Sequence, residues 1–146
     1  MKSKVLVVLL VTVGLLVVSS GMLAHHSNAG LFKDDVVITV TGTVKQWRLV
    51  NPHPALLFDV TTQAGGVEIW TATFNSVADV RRMGWTRDTF KPGDPVTVCG
   101  NPFVGGQKTI FTLYVKTPDG KAWSNRPGNQ GALDKFPGPD TCPGAP

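Results

Sequence analysis

Cysteine, histidine and charge are all scarce in this chain. Of its 146 residues two are Cys, three are His and one is Tyr, and 16% are Asp, Glu, Lys or Arg. The cysteines, Cys99 and Cys142, lack the Cys-x-x-Cys spacing of redox enzymes. No dinucleotide or nucleotide-triphosphate motif is present, and the glycine pairs Gly65-Gly66 and Gly105-Gly106 open no helix, so they read as hairpin turns and not as phosphate loops. No Ser or Cys has a sequence context that would activate a nucleophile, and Asp34-Asp35 reads as a surface pair. These absences argue against an enzyme. The length leaves room for one domain with a modest core, which excludes a multidomain machine.

What is present begins with an export signal. Lys2 and Lys4 precede an apolar run from Val5 to Val18, which is shorter than the roughly 20 residues of a membrane-spanning helix. Small residues follow, and cleavage is expected after Ala24 or after Gly21. The absence of Cys near that junction argues against a lipid anchor, and retention as an uncleaved anchor is the alternative to cleavage. Residues 1–24 are therefore assigned to a signal peptide and the protein to the periplasm or the extracellular medium, with no stable membrane span after cleavage. The mature chain would begin at His25 with 12 basic and 10 acidic residues, too small an excess to suggest a polyanion partner such as nucleic acid.

The remainder alternates like β-structure. From Val36 to Arg48 the residues are β-branched and aromatic, with Ile38, Val40 and Val44 in phase across a bend at Gly42. After the turn Asn51-Pro52-His53-Pro54, Leu56, Phe58 and Val60 mark a second strand, and Val67 to Phe74 a third. Ser76-Val77-Ala78-Asp79 has the form of a capping box, so a short helix with Val77 and Val80 on one face should run to Met83 and stop at Gly84. Pro92-Gly93 makes a turn into a fourth strand, Pro95 to Gly100, with Val96 and Val98 inward and Thr97 and Cys99 outward. A fifth, Thr109 to Lys116, should put Phe111, Leu113 and Val115 on one side. Three strands, a helix and two strands is the order of an all-β, five-stranded OB-like barrel over residues 25–123, with an open β-sandwich as the alternative. Residues 124–146, with five Pro and four Gly, are expected to be a disordered tail. An exported chain can hold a disulfide, and a Cys99–Cys142 bridge would pin that tail to the barrel. Free thiols or an intermolecular bond remain open.

Several strings together resemble a family of small exported bacterial proteins classed as a domain of unknown function. They are AHHS (Ala24 to Ser27), TGTV (Thr41 to Val44), Trp47, NPH (Asn51 to His53), Asp59, Trp70, the Gly84-Trp85 pair and PGDPVTVCG (Pro92 to Gly100). The resemblance runs from about Ala24 to Trp123. It implies an exported β-barrel and cleavage just before His25, and it implies no activity. The tail with Cys142, and Cys99, depart from it, so the disulfide rests on this sequence alone.

Two constellations suggest binding. If His25 is the first residue, its α-amine and Nδ1 can chelate a metal, with His53 or His26 adding an imidazole. All-nitrogen ligation without thiolate favours Cu(II), with Zn(II) second. Against this, His25 and His26 stand at a fraying chain end, and His53 can serve as a hydrogen-bonding residue of its turn. The second is a ligand face built from Trp47, Asn51, Trp70 and Trp85, with arginines nearby, suited to a protein, glycan or small molecule. Against that, most of these rings can be barrel core. The expected function is a non-catalytic exported binding protein for copper or zinc, the alternative being an envelope interaction module that docks a protein or glycan on the barrel face.

Overall fold

A computed structural model describes residues 2–19, 30–126 and 129–133. The first element is the helix α1 (Lys2–Ser19), whose apolar run is bracketed by Lys2 and Lys4 on one side. Among the described residues no helix is long and apolar enough to cross a membrane. The junction expected near Ala24 lies outside the described residues.

Seven strands follow: β1 (Ile38–Arg48), β2 (Ala55–Thr61), β3 (Val67–Thr73), β4 (Pro95–Pro102), β5 (Thr109–Lys116), β6 (Ala122–Arg126) and β7 (Asn129–Leu133), with the helix α2 (Val77–Arg82) between β3 and β4. The expected barrel is there. β1 pairs antiparallel with β4 through Ile38 to Thr43 and with β2 through Thr43 to Arg48, so it changes partner at the bend. Gly42 sits there because a Cβ would come within 2.9 Å of the Phe58 ring and collide with the Asp59 carbonyl oxygen. Closure comes from β3 and β5, which pair in parallel through Thr71–Thr109, Ala72–Ile110 and Thr73–Phe111. A five-stranded barrel results, and curling the sheet shut removes the edges that an open sandwich would expose.

Inside it Val40, Val44, Leu56, Phe58, Ala72, Phe74, Val96, Val98, Ile110 and Val115 form one apolar cluster. α2 covers the cluster with Val77, Val80 and Met83. Its start is the expected capping box: the Asp79 N–H donates to Ser76 Oγ at 3.1 Å, and the Ser76 N–H donates to the Asp79 carboxylate at 3.0 Å. Its end is set by Gly84, at φ +82°. The Pro92-Gly93 turn forms as expected, with Gly93 at φ +94° and the Asp94 N–H donating to the Lys91 carbonyl.

Three expectations need correction. Phe111, Leu113 and Val115 do not share a face, because β5 carries an extra residue where the register shifts between Cys99 and Gly100. Ile110 and Val115 face the core, while Leu113 packs with Val37 and Cys99 in a second cluster. Cys99 lies on the face of β4 opposite Val98, yet it is fully buried there and not open to solvent. It is disulfide-bonded, and Cys142, the other cysteine of the chain, lies outside the described residues. Finally, the segment expected to be disordered from Ser124 onward begins as a hairpin. β6 pairs with the C-terminal half of β5, β7 pairs with β6, and Ser124 and Asn125 are buried. Once its N-terminal half has closed the barrel against β3, β5 still has unpaired backbone groups in its other half, and β6 satisfies them. Residues 134–146 lie outside the described residues.

Candidate functional site

The β1–β2 loop carries the one described histidine, His53, between Pro52 and the fully buried Pro54. Its Nδ1 lies 3.1 Å from the Phe74 carbonyl oxygen and 2.9 Å from that of Asn75. A carbonyl only accepts, so Nδ1 must hold the proton and donate to both. Whenever the ring is neutral, Nε2 is therefore the nitrogen without a proton, and the residue is exposed. This is the arrangement that orients metal-binding histidines, in which the far nitrogen is anchored on a carbonyl. The reading of His53 as a hydrogen-bonded loop residue and the reading of it as a ligand are therefore compatible.

The carbonyls that anchor His53 are themselves held. Asn75 Nδ2 donates to the Asn125 carbonyl at 2.6 Å, the Asn75 N–H to Asn125 Oδ1 at 3.4 Å, and Asn125 Nδ2 to the Thr112 carbonyl at 2.8 Å. The network ties the end of β3 to β5 and β6, and Asn125 at its centre is fully buried. Sequence reasoning missed both asparagines. Asn125 stands in a Pro/Gly-rich segment, where an asparagine ordinarily signals a turn or a solvated chain.

The proposed aromatic residues do not make one face. Trp47, Phe74, Trp85 and Phe90 pack edge to face with centroids 5.2 to 6.0 Å apart, and Trp123 joins through Trp85 at 5.8 Å. Trp85 is 3% exposed and offers no free ring for stacking. Trp47 is half-buried and its Nε1 donates to the Thr86 carbonyl at 2.8 Å. Trp70 stands apart on β3, opposite Phe58, with Lys108 Nζ 5.4 Å from its ring centre and bridged at 3.0 Å to Glu68. Asn51 is exposed in the same loop as His53. Edge-to-face packing gathers Trp47, Trp85 and Trp123, far apart in sequence, against the core: a T-shaped cluster satisfies ring quadrupoles and excludes water together.

Two carboxylates titrate low. Burial raises the pKa of Asp79, but hydrogen bonds from the Ser76 side chain and backbone, with the Arg82 guanidinium, outweigh it. Asp119 falls to about 2, first through the Thr117 hydroxyl and then through Lys121. Both are turn and cap devices, remote in role from His53. Among the described residues no three His, Cys, Asp or Glu side chains gather as a metal cluster. His25 and His26, the other expected ligands, lie outside the described residues.

Residues 13–112 match the model of a family of unknown function, DUF6152. The match covers more than half of the chain, so the protein belongs to that family. No curated protein matches it.

Proposed function

We propose that this DUF6152 protein is an exported, non-catalytic binding protein that takes Cu(II), with Zn(II) second, on His53 together with the N-terminal His25 and His26. The observation that supports this reading is the anchored Nδ1 of His53, hydrogen-bonded to two backbone carbonyls, which leaves Nε2 of an exposed residue as the nitrogen a metal would take. The chain also returns toward that loop. The Phe32 ring lies 5.6 Å from that of Phe111, whose partner across the barrel closure is Thr73, next to Phe74. His25 precedes Phe32 by seven residues, an extended reach of about 23–25 Å. The proposal requires that span to bring an α-amine and imidazole to the β1–β2 loop. The bound ion would hold the leader-free chain end against the barrel, and its nitrogen ligands suit Cu(II) better than harder cations.

The test is native mass spectrometry of protein exported through its own N-terminal segment, before and after one equivalent of Cu(II). A chain beginning at His25 that keeps one copper against a competing chelator, and loses it in His53→Ala with the fold intact, is the expected result. A chain beginning elsewhere, or copper retention unchanged in His53→Ala, overturns it and favours the interaction-module reading, in which the barrel face docks a protein or glycan.

A further inference from the structure

β6 is buried on both faces, although only one of them meets the barrel. Its inward residues are Trp123, packed against the core cluster, and Asn125, tied to Thr112 and Asn75. Alternation along the strand turns Ala122 and Ser124 to the other face. Yet Ala122 is 4% and Ser124 1% exposed. The same outer face carries Cys99, fully buried and clustered with Val37, Leu113 and Tyr114. Register joins these positions into one row. Cys99 lies opposite Tyr114, Tyr114 opposite Ser124, and Ser124 opposite Gly131. Directly opposed residues share a face, so a single line of the outer surface runs from β4 across to β7.

The disulfide indicates what reaches that line. Cys99 is disulfide-bonded, and Cys142 is the other cysteine of the chain. β7 ends at Leu133, nine residues before Cys142. In the sheet order β7 stands three strand spacings from β4, about 14 Å, and nine extended residues span about 30 Å. The chain therefore has slack to return from β7 to a side chain on the outer face of β4. The intervening sequence suits a path across that face. Pro137 and Pro139 have no N–H to leave unpaired where a chain crosses strands instead of lying beside them. They also keep this stretch from extending the sheet as a further strand. Phe136 is the large apolar side chain of the segment. The surface it would meet is made of small residues, Ala122, Ser124 and Gly131, which leave room for a ring above them.

From these we infer that residues 134–142 form a strap, clamped by the Cys99–Cys142 disulfide, that lies on the outer face of β6 and β5 with Phe136 seated over Ala122 and Ser124. The strap closes the outer face as the barrel core closes the inner one. Val37, just before β1, belongs to the cluster under the clamp, so the strap also holds the segment that leads into the first strand. It withdraws this part of the barrel from any docking partner. The strap uses no residue of the His53 metal reading and stands or falls separately.

Tyr114, half-buried in this row, is the one tyrosine of the chain, so full-length protein labelled with 3-fluorotyrosine gives a single resonance that reports this face alone. The measurement is the broadening of that resonance by a soluble gadolinium chelate in the oxidised parent, in Cys142→Ser and in Phe136→Ser. Release of the clamp in Cys142→Ser should raise the broadening at least about twofold, and Phe136→Ser, which keeps the disulfide, should raise it by a smaller amount. The indole N–H resonances of Trp47 and Trp85 should stay in place, showing that the barrel is intact. If Cys142→Ser moves them as well, Phe136→Ser alone decides. Peptide mapping without reductant should recover Cys99 joined to Cys142 in a monomer. Broadening unchanged in Cys142→Ser means that the face is covered without the tail, and broadening unchanged in Phe136→Ser means that the tail is tethered without lying on the sheet. Either result overturns the strap, as does a Cys99 bonded to a second chain.

Discussion

Gly100 offers the sharpest test of how this barrel is built. It stands at the register shift between β4 and β5, and its φ is not left-handed, so conformational freedom is not what it supplies. It supplies room. A Cβ there would lie 2.9 Å from the Phe111 carbonyl carbon and 3.1 Å from the Leu113 nitrogen, and would collide with the Phe111 carbonyl oxygen. These are backbone atoms of the bulge that puts Ile110 and Val115 on the core side, so they cannot swing away as a side chain would. Overpacking a tight site costs about 1–3 kcal/mol. Parting the strands there would add about 1 kcal/mol for each ladder hydrogen bond weakened. The stiffer unfolded chain of Gly100→Ala offsets some 0.4–1 kcal/mol. The balance is a destabilisation of about 2–4 kcal/mol, or roughly 10–20 °C in Tm for a domain of this size. Gly66→Ala is the control. Its φ is ordinary and a Cβ would meet only the Thr62 hydroxyl at 3.4 Å, so it should be neutral or slightly stabilising. Urea unfolding followed by tryptophan fluorescence measures both. A Gly100→Ala protein within about 0.5 kcal/mol of the parent, the scatter of ordinary surface changes, would refute the close-approach argument, as would a Gly66→Ala protein equally destabilised.

Other perturbations follow from the same geometry. Asn125→Ala removes a fully buried amide and strands the Thr112 carbonyl and the Asn75 N–H, so unfolding should be easier by about 3 kcal/mol; hydrogen exchange should also rise in β6 and β7, and unchanged exchange there would show that the hairpin is held by something else. Ser76→Ala deletes the helix cap at about 1 kcal/mol. Because the native pKa of Asp79 is lowered, its stabilising contribution is present above the ordinary aspartate pKa and is lost as pH falls through the native value. The deficit of Ser76→Ala should therefore shrink in acid, and a deficit that grew on acidification would contradict this. In Thr117→Val the carboxyl carbon of Asp119 should titrate nearer 3.8 than 2, since its first cause is removed; an unmoved NMR titration midpoint would assign the shift to Lys121 instead.

Much of the fold was legible locally. Alternation marked five strands, Ser76 and Asp79 announced the helix, and Pro92-Gly93 announced the turn, because each rule acts across a few bonded neighbours and those neighbours are adjacent in the chain. His53 was legible as a candidate because two prolines flank it, and the chance of a metal at an N-terminal histidine is a matter of composition and order. Tertiary structure decided the rest. Whether β3 meets β5 in parallel, and so whether the sheet closes, depends on residues far apart in the chain. Gly100 reads as an ordinary strand glycine until Phe111 lies against it, and then it shifts the phase of every later side chain in β5. Asn125 looks solvated until Thr112 and Asn75 surround it, at which point a tail becomes an edge hairpin. The proton on His53 sits at Nδ1 only because the Phe74 and Asn75 carbonyls converge there from another strand. Periodicity and turn chemistry are properties of a segment, whereas burial, register and tautomer belong to the groups that a segment meets, and those exist only in the folded chain.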